Sequence, residues 1–231
     1  MNLYIVVEGN RTETKVYPAW LNLLKPNYTH VDDPRKIGVN SCCYYLLSAG
    51  GIPSIYDHIA NSVMDINEIN SKTTNKYDYL LVCIDTEECA KGEEERIIKQ
   101  KLADKGLSLK NAQLIVFEHQ VCMESWFLGN RKVFKNNPQD KKLVDYIKFY
   151  DVSKNNPENM ESINLDDFST KAQFHYDYLR RMLSERNLNY SKTNPISVQQ
   201  LDYLNELISR CTTTKDLLTF KAWYDFIKQL K

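Results

Sequence analysis

"LYIVVEGNRTETKVYPAWL", residues 3–21, decides the fold. Residues 3–7 form a short apolar run of strand type, cut off by Glu8 and Gly9. Val16, Tyr17, Trp20, Leu21 and Leu24 then recur at helical spacing, which predicts a helix over 13–25. Thr12 stands before that run as a candidate N-cap. Pro18 lies near enough to the helix start to shorten or bend it, and Pro26 ends it. A strand passing straight into an amphipathic helix is the first step of strand–helix–strand alternation.

The same alternation continues outward. Residues 28–39 suggest one strand near Ile37–Val39. "SAGGIPS" (48–54) is a Gly-rich turn, and Ile52 to Val63 has the spacing of a helix. "YLLVCIDTEE" (79–88) is a second buried strand. "GEEERIIKQKLADKG" (92–106) is a helix with acids in its first turn and lysines later, matching the helix dipole. "AQLIVFEH" (112–119) is a third strand. The expected class is α/β with a mainly parallel sheet flanked by helices. From about residue 140 the pattern turns helical, over 140–150, 169–187, 198–210 and 215–230. The expected organisation is an α/β domain at 1–130 and a helical C-terminal extension at 131–231.

Composition limits the functions. The 231 residues carry 30 Lys+Arg and 30 Asp+Glu, so global electrostatic attraction to nucleic acid is absent and any such attraction is local. The balance is uneven: residues 1–130 hold 13 basic and 17 acidic residues, residues 131–231 hold 17 and 13. Six cysteines show neither CxxC pairs nor zinc spacing, which points to reduced thiols and a cytoplasmic protein. No signal peptide or membrane span is expected. G-x-x-x-x-G-K-[ST] and H-E-x-x-H are both missing. His119 alternates to the opposite strand face from Glu118. Fifteen tyrosines include none that the pattern marks as a nucleophile.

Where the acids fall is more informative. Glu8 follows the first strand; Asp85, Glu87 and Glu88 follow the second; Glu118 closes the third, with Glu124 soon after. In open parallel sheets the carboxyl ends of strands share one edge, where ligands bind. Crowded carboxylates raise one another's pKa unless a positive charge sits among them. A hard divalent cation is the usual partner, and Mg²⁺ takes one or two carboxylates plus water and phosphate oxygens. Taken singly, each acid is as well explained as a helix cap or a solvated loop residue.

"VVEGNRTE" followed by "LLVCIDTEE" resembles the Toprim domain of primases, topoisomerases and overcoming-lysogenization-defect nucleases. In that family a Glu ends the first strand, here Glu8, and a D-x-D pair ends a later one, here Asp85 and Glu87 with Glu in the second place. A narrower resemblance, to RloB-like and abortive-infection-associated Toprim-like proteins, rests on "EGNRTE" (8–13), "CIDTEE" (83–88), "MESWFLGN" (123–130) and "NYSKT" (189–193). It implies a Toprim-like sheet with a helical extension, in a bacterial anti-phage locus that often also encodes an ABC- or AAA-type ATPase.

The resemblance implies a Mg²⁺- or Mn²⁺-dependent nuclease acting on RNA or DNA. Glu8, Asp85 and Glu87 would hold the metal, with Glu8 alternatively a general acid or base. Glu124, bracketed by Met123, Trp126, Phe127 and Leu128, would be a partly buried site acid, either a metal ligand or the partner of Lys192 or of an arginine. Lys192 would bind phosphate or offset charge in the transition state. Arg11 would contact phosphate, or pair with Glu13. The rival expectation is a Toprim-like interaction or sensor module that docks on the ATPase and does little alone. A third is a hydrolase of small phosphates.

Overall fold

The computed structural model describes residues 1–37, 42–163 and 167–231. Five strands form one sheet: β1 (Leu3–Val7), β2 (Thr29–Val31), β3 (Cys43–Ser48), β4 (Tyr79–Asp85) and β5 (Gln113–His119), in the order β2-β3-β1-β4-β5. β1 pairs in parallel with β3 and β4, and β2 in parallel with β3. β5 runs the same way: Gln113 N–H bonds the Asp78 carbonyl where β4 starts, and Thr86 N–H bonds the His119 carbonyl where both end. The α/β class with a parallel sheet and a C-terminal helical region is borne out.

Every residue of β1 is buried. Alternation sends Tyr4 and Val6, with Leu80, Val82 and Ile84 of β4, into one core against Ile55, Ile59, Val63 and Ile66. Leu3, Ile5 and Val7 point the other way and are also buried, as parallel strands covered on both faces require. Each such aliphatic side chain contributes about 1.5–3 kcal/mol of burial.

α1 (Glu13–Leu24) buries Val16, Tyr17, Trp20 and Leu21, as the spacing indicates. Its turns continue unshortened through Pro18 to Leu24, because Pro removes a single N–H and the buried face repays that loss. The expected cap is not made. Thr12 has helical backbone angles and no side-chain capping bond; Glu13 reaches back instead, its Oε1 accepting from Gly9 N–H at 3.0 Å. A Cβ at residue 9 would lie 2.3 Å from Glu13 Oε2, so a side chain there would push the Glu13 carboxylate aside and break this bond.

α2 (Ser54–Lys72) extends past the expected Val63, because Ile66 and Ile69 continue its buried face. α3 (Glu93–Asp104) keeps its acidic first turn. The strand expected near Ile37–Val39 is not seen at Ile37, which is irregular, and residues 38–39 fall outside the described residues. β2 and β3 flank that stretch instead.

Two compact units divide the chain. The first comprises residues 1–84, 91–118 and 226–231; the second comprises 85–90 and 119–225. The second is built from α4 (Met123–Phe127), α5 (Lys141–Phe149), α6 (Lys171–Ser184), α7 (Leu201–Thr213) and most of α8 (Leu218–Gln229). Its core includes Trp126, Phe174, Tyr178, Leu204, Phe220 and Trp223. Arg210 of α7 is 1% exposed and ties this unit together. Its guanidinium donates to Asp216 at 2.8 Å and to the carbonyls of Gly129, Val152 and Asn155 at 3.2, 2.7 and 2.7 Å. All six cysteines are free thiols. Among the described residues no helix is long and apolar enough to cross a membrane.

Candidate functional site

The apolar run of β4 closes on Asp85, whose side chain keeps 17% exposure. It meets His119, the last residue of β5, which is fully buried, with Nδ1 and Asp85 Oδ1 2.5 Å apart. The chain beyond both residues is pinned. Thr86 N–H bonds the His119 carbonyl at 3.0 Å and Glu87 N–H bonds the Val121 carbonyl at 2.9 Å. Val121 N–H donates to Thr86 Oγ1 at 2.9 Å. These bonds hold Val121 at φ 68°, a left-handed conformation costing a β-branched residue about 1–3 kcal/mol. The chain turns there into α4.

α4 carries Glu124, which is 2% exposed. Tyr190 donates its hydroxyl to Glu124 Oε1 at 2.9 Å. Lys192 Nζ lies 4.0 Å from the same oxygen while its side chain is 48% exposed. Lys192 sits on a tight turn in which Asn194 N–H bonds the Ser191 carbonyl. Burial raises the Asp85 pKa well above the usual carboxylate range; the charges of Glu124 and Glu87 add to the rise and Lys192 opposes it. Burial, with Glu124 and Asp85, also pushes the Cys122 thiol up, so it remains a thiol and not a nucleophile.

Asp85, Glu124 and Lys192, far apart in sequence, are thus gathered in the second unit. Glu87 belongs there too, exposed on a turn with φ 48°. Glu8 and Arg11 belong to the first unit. Glu8 is half-buried after β1, its N–H bonding the Cys83 carbonyl at 3.1 Å; Arg11 is exposed. Among the described residues there is no Arg11–Glu13 ion pair, because Glu13 is turned toward Gly9. Glu118 holds the start of α3, accepting from Glu95 N–H at 3.0 Å and from Gly92 N–H. Among the described residues no group of three or more His, Cys, Asp or Glu side chains is placed to hold a metal ion. The group is a smaller one, the partly exposed carboxylate of Asp85 and the buried one of Glu124 with one lysine.

His119 and Tyr190 were missed by sequence reasoning. The alternation of β5 does separate His119 from Glu118, and the face it gives His119 is the one that meets Asp85. Tyr190 stands inside "NYSKT" (189–193), two residues before Lys192, but only the lysine was given a role there.

A second buried histidine is structural. His175 Nε2 faces the Met160 carbonyl and Nδ1 faces Ser125 Oγ, both at 2.8 Å, and burial lowers its pKa to about 4. The imidazole is therefore neutral in the fold and protonates in the unfolded chain near pH 6.5. Stability from this residue is fully present above pH 6.5. It declines by about 3 kcal/mol as pH falls to 4, since only the unfolded state takes up the proton in that window. Urea melts from pH 7.5 to 4, with NMR titration of the His175 ring, check this; a ring that titrates near 6.5 in the native protein refutes it.

No protein-family model, curated protein or solved structure matches the chain.

Proposed function

We propose that this protein is a divalent-metal-dependent phosphodiester hydrolase acting on nucleic acid, with Asp85 at its centre. One observation carries the proposal: a carboxylate still open to solvent is held beside a second, buried carboxylate, with one lysine to offset them. Such a pair is unfavourable without a cation and favourable with one. Mg²⁺ and Mn²⁺ fit this donor set, since such ions use one or two carboxylates and fill their remaining positions with water and phosphate oxygens. Asp85 and Glu124 would hold the ion, which supplies Lewis acidity and an activated water at neutral pH.

The chain's own groups have separate tasks. His119 fixes the orientation of the Asp85 carboxylate, as outer partners of metal-binding groups do. Tyr190 fixes Glu124. Lys192, exposed at its tip, takes a phosphate oxygen and offsets the charge that develops there. Places for Glu8 and Glu87 in the ligand set, and for Arg11 on a phosphate, rest on the Toprim-like resemblance. So does the role of anti-phage effector beside an ABC- or AAA-type ATPase.

The balanced net charge favours a second reading, an interaction module that docks on such an ATPase. Incubation with labelled RNA and DNA, single- and double-stranded, in Mg²⁺, Mn²⁺ or EDTA separates the two. Cleavage with metal and none in EDTA is expected. Intact substrate under every condition overturns the hydrolase and leaves the module.

A further inference from the structure

We infer that Tyr176 is a base-stacking platform and that the site takes an unpaired nucleotide of single-stranded nucleic acid, an inference that rests on the hydrolase proposed above. Three rings step outward from the acid pair. Phe127 packs on Tyr190 with centroids 6.0 Å apart, and Tyr190 packs on Tyr176, again at 6.0 Å. Phe127 and Tyr190 are buried, and Tyr176 on α6 is the outermost ring, half-buried. Lys192 Nζ stands 6.0 Å from the Tyr176 centroid and 4.0 Å from Glu124. Lys192 therefore stands between the half-buried Tyr176 ring and the buried carboxylate of Glu124.

Magnitudes decide what uses that face. An exposed lysine over a tyrosine gains about 0.5–1 kcal/mol. A nucleobase on the same ring gains about 1–3 kcal/mol. A base therefore displaces the ammonium, which then moves to the adjoining phosphate, where its charge is worth more. A base within a duplex already has both faces covered, and flipping it out costs a few kcal/mol. The equal numbers of basic and acidic residues give no excess positive charge to offset that cost by gripping duplex phosphates. An unpaired nucleotide meets neither obstacle.

The test is binding in EDTA, where no cleavage occurs. Fluorescein-labelled single strands of RNA and of DNA, and the corresponding duplexes, are titrated with the full-length protein and followed by anisotropy. Either or both single strands should bind more tightly than their duplexes. Tyr176→Ala should weaken single-strand binding about tenfold or more, and Tyr176→Phe should leave it within about twofold. A 2-aminopurine in the strand should be quenched by the parent and by Tyr176→Phe but not by Tyr176→Ala, a signal that a purely structural tyrosine would not produce. Thermal melts confirm that both variants fold. Equal binding by Tyr176→Ala, preference for duplex, or no binding by the parent overturns the inference. Binding and quenching with no metal-dependent cleavage removes the hydrolase and leaves the platform standing; cleavage unaffected by Tyr176→Ala, with no quenching, does the reverse.

Discussion

Asp85→Asn is expected to abolish metal-dependent cleavage and, without metal, to melt at a higher temperature than the parent. Loss of a member of a group that acts as a unit costs about three orders of magnitude or more in rate. The stability gain follows from the raised Asp85 pKa. In the fold this carboxyl holds its proton to higher pH than in the unfolded chain. Its contribution is therefore fully present below about pH 3.9 and is lost as pH rises through its folded value. Above about pH 3.9 the parent carries a growing penalty that the asparagine does not. The substituted amide can still hydrogen-bond His119 Nδ1, accepting through its oxygen or donating through its NH2, so the strand ends stay joined. A gain of a few degrees is expected, at about 2–4 °C per kcal/mol for a chain of this length. The difference between the two proteins should widen as pH rises and close toward about pH 4. Scanning calorimetry at several pH values, paired with cleavage assays, reads both effects. Retained cleavage removes Asp85 from the chemistry, and a variant less stable than the parent at pH 7 removes the charge argument.

The largest loss of stability is expected at Arg210. Arg210→Met removes a buried guanidinium and keeps most of its length. It leaves Asp216 and the carbonyls of Gly129, Val152 and Asn155 without that donor. Breaking a buried charge network by removing one partner costs about 3–5 kcal/mol. The corresponding fall in melting temperature is about 10 °C. Arg210→Lys should recover little, because one ammonium cannot present the planar fork that reaches four partners. Chemical denaturation of both variants checks this; a loss below about 1 kcal/mol for Arg210→Met would refute it.

What could be read from the sequence was what local pattern encodes. The buried runs of β1, β4 and β5 and the amphipathic faces of α1 and α3 advertise themselves by period. β3 does not: "CYYLLS" mixes thiol, phenol and hydroxyl groups whose hydrophobicity is intermediate, and it runs straight into a Gly-rich turn. At the site, Asp85, Glu124 and Lys192 were identified as candidates, but their grouping in one unit depends on how α4 and the 190–194 turn pack. His119 shows the limit. Its strand face was legible, whereas the strand next to it, and so its partner, was not. The same holds for Arg210, an arginine near the end of an ordinary amphipathic helix whose partners lie 6 to 81 residues away.

The interleaving of the two units bears on how the molecule is made. The backbone passes from one unit to the other four times, and the sheet unit is not closed until residues 226–231 return to it. Phe226 then packs against Tyr79 and Phe117, and Lys25 Nζ donates to the carbonyls of Lys228 and Leu230. During vectorial synthesis the early strands must wait for these late residues. Asp85 likewise waits more than a hundred residues for Lys192. Contacts this distant in sequence form late and slowly. No single cut therefore divides the protein into one piece with the sheet unit and another with the unit that holds Asp85, Glu124 and Lys192.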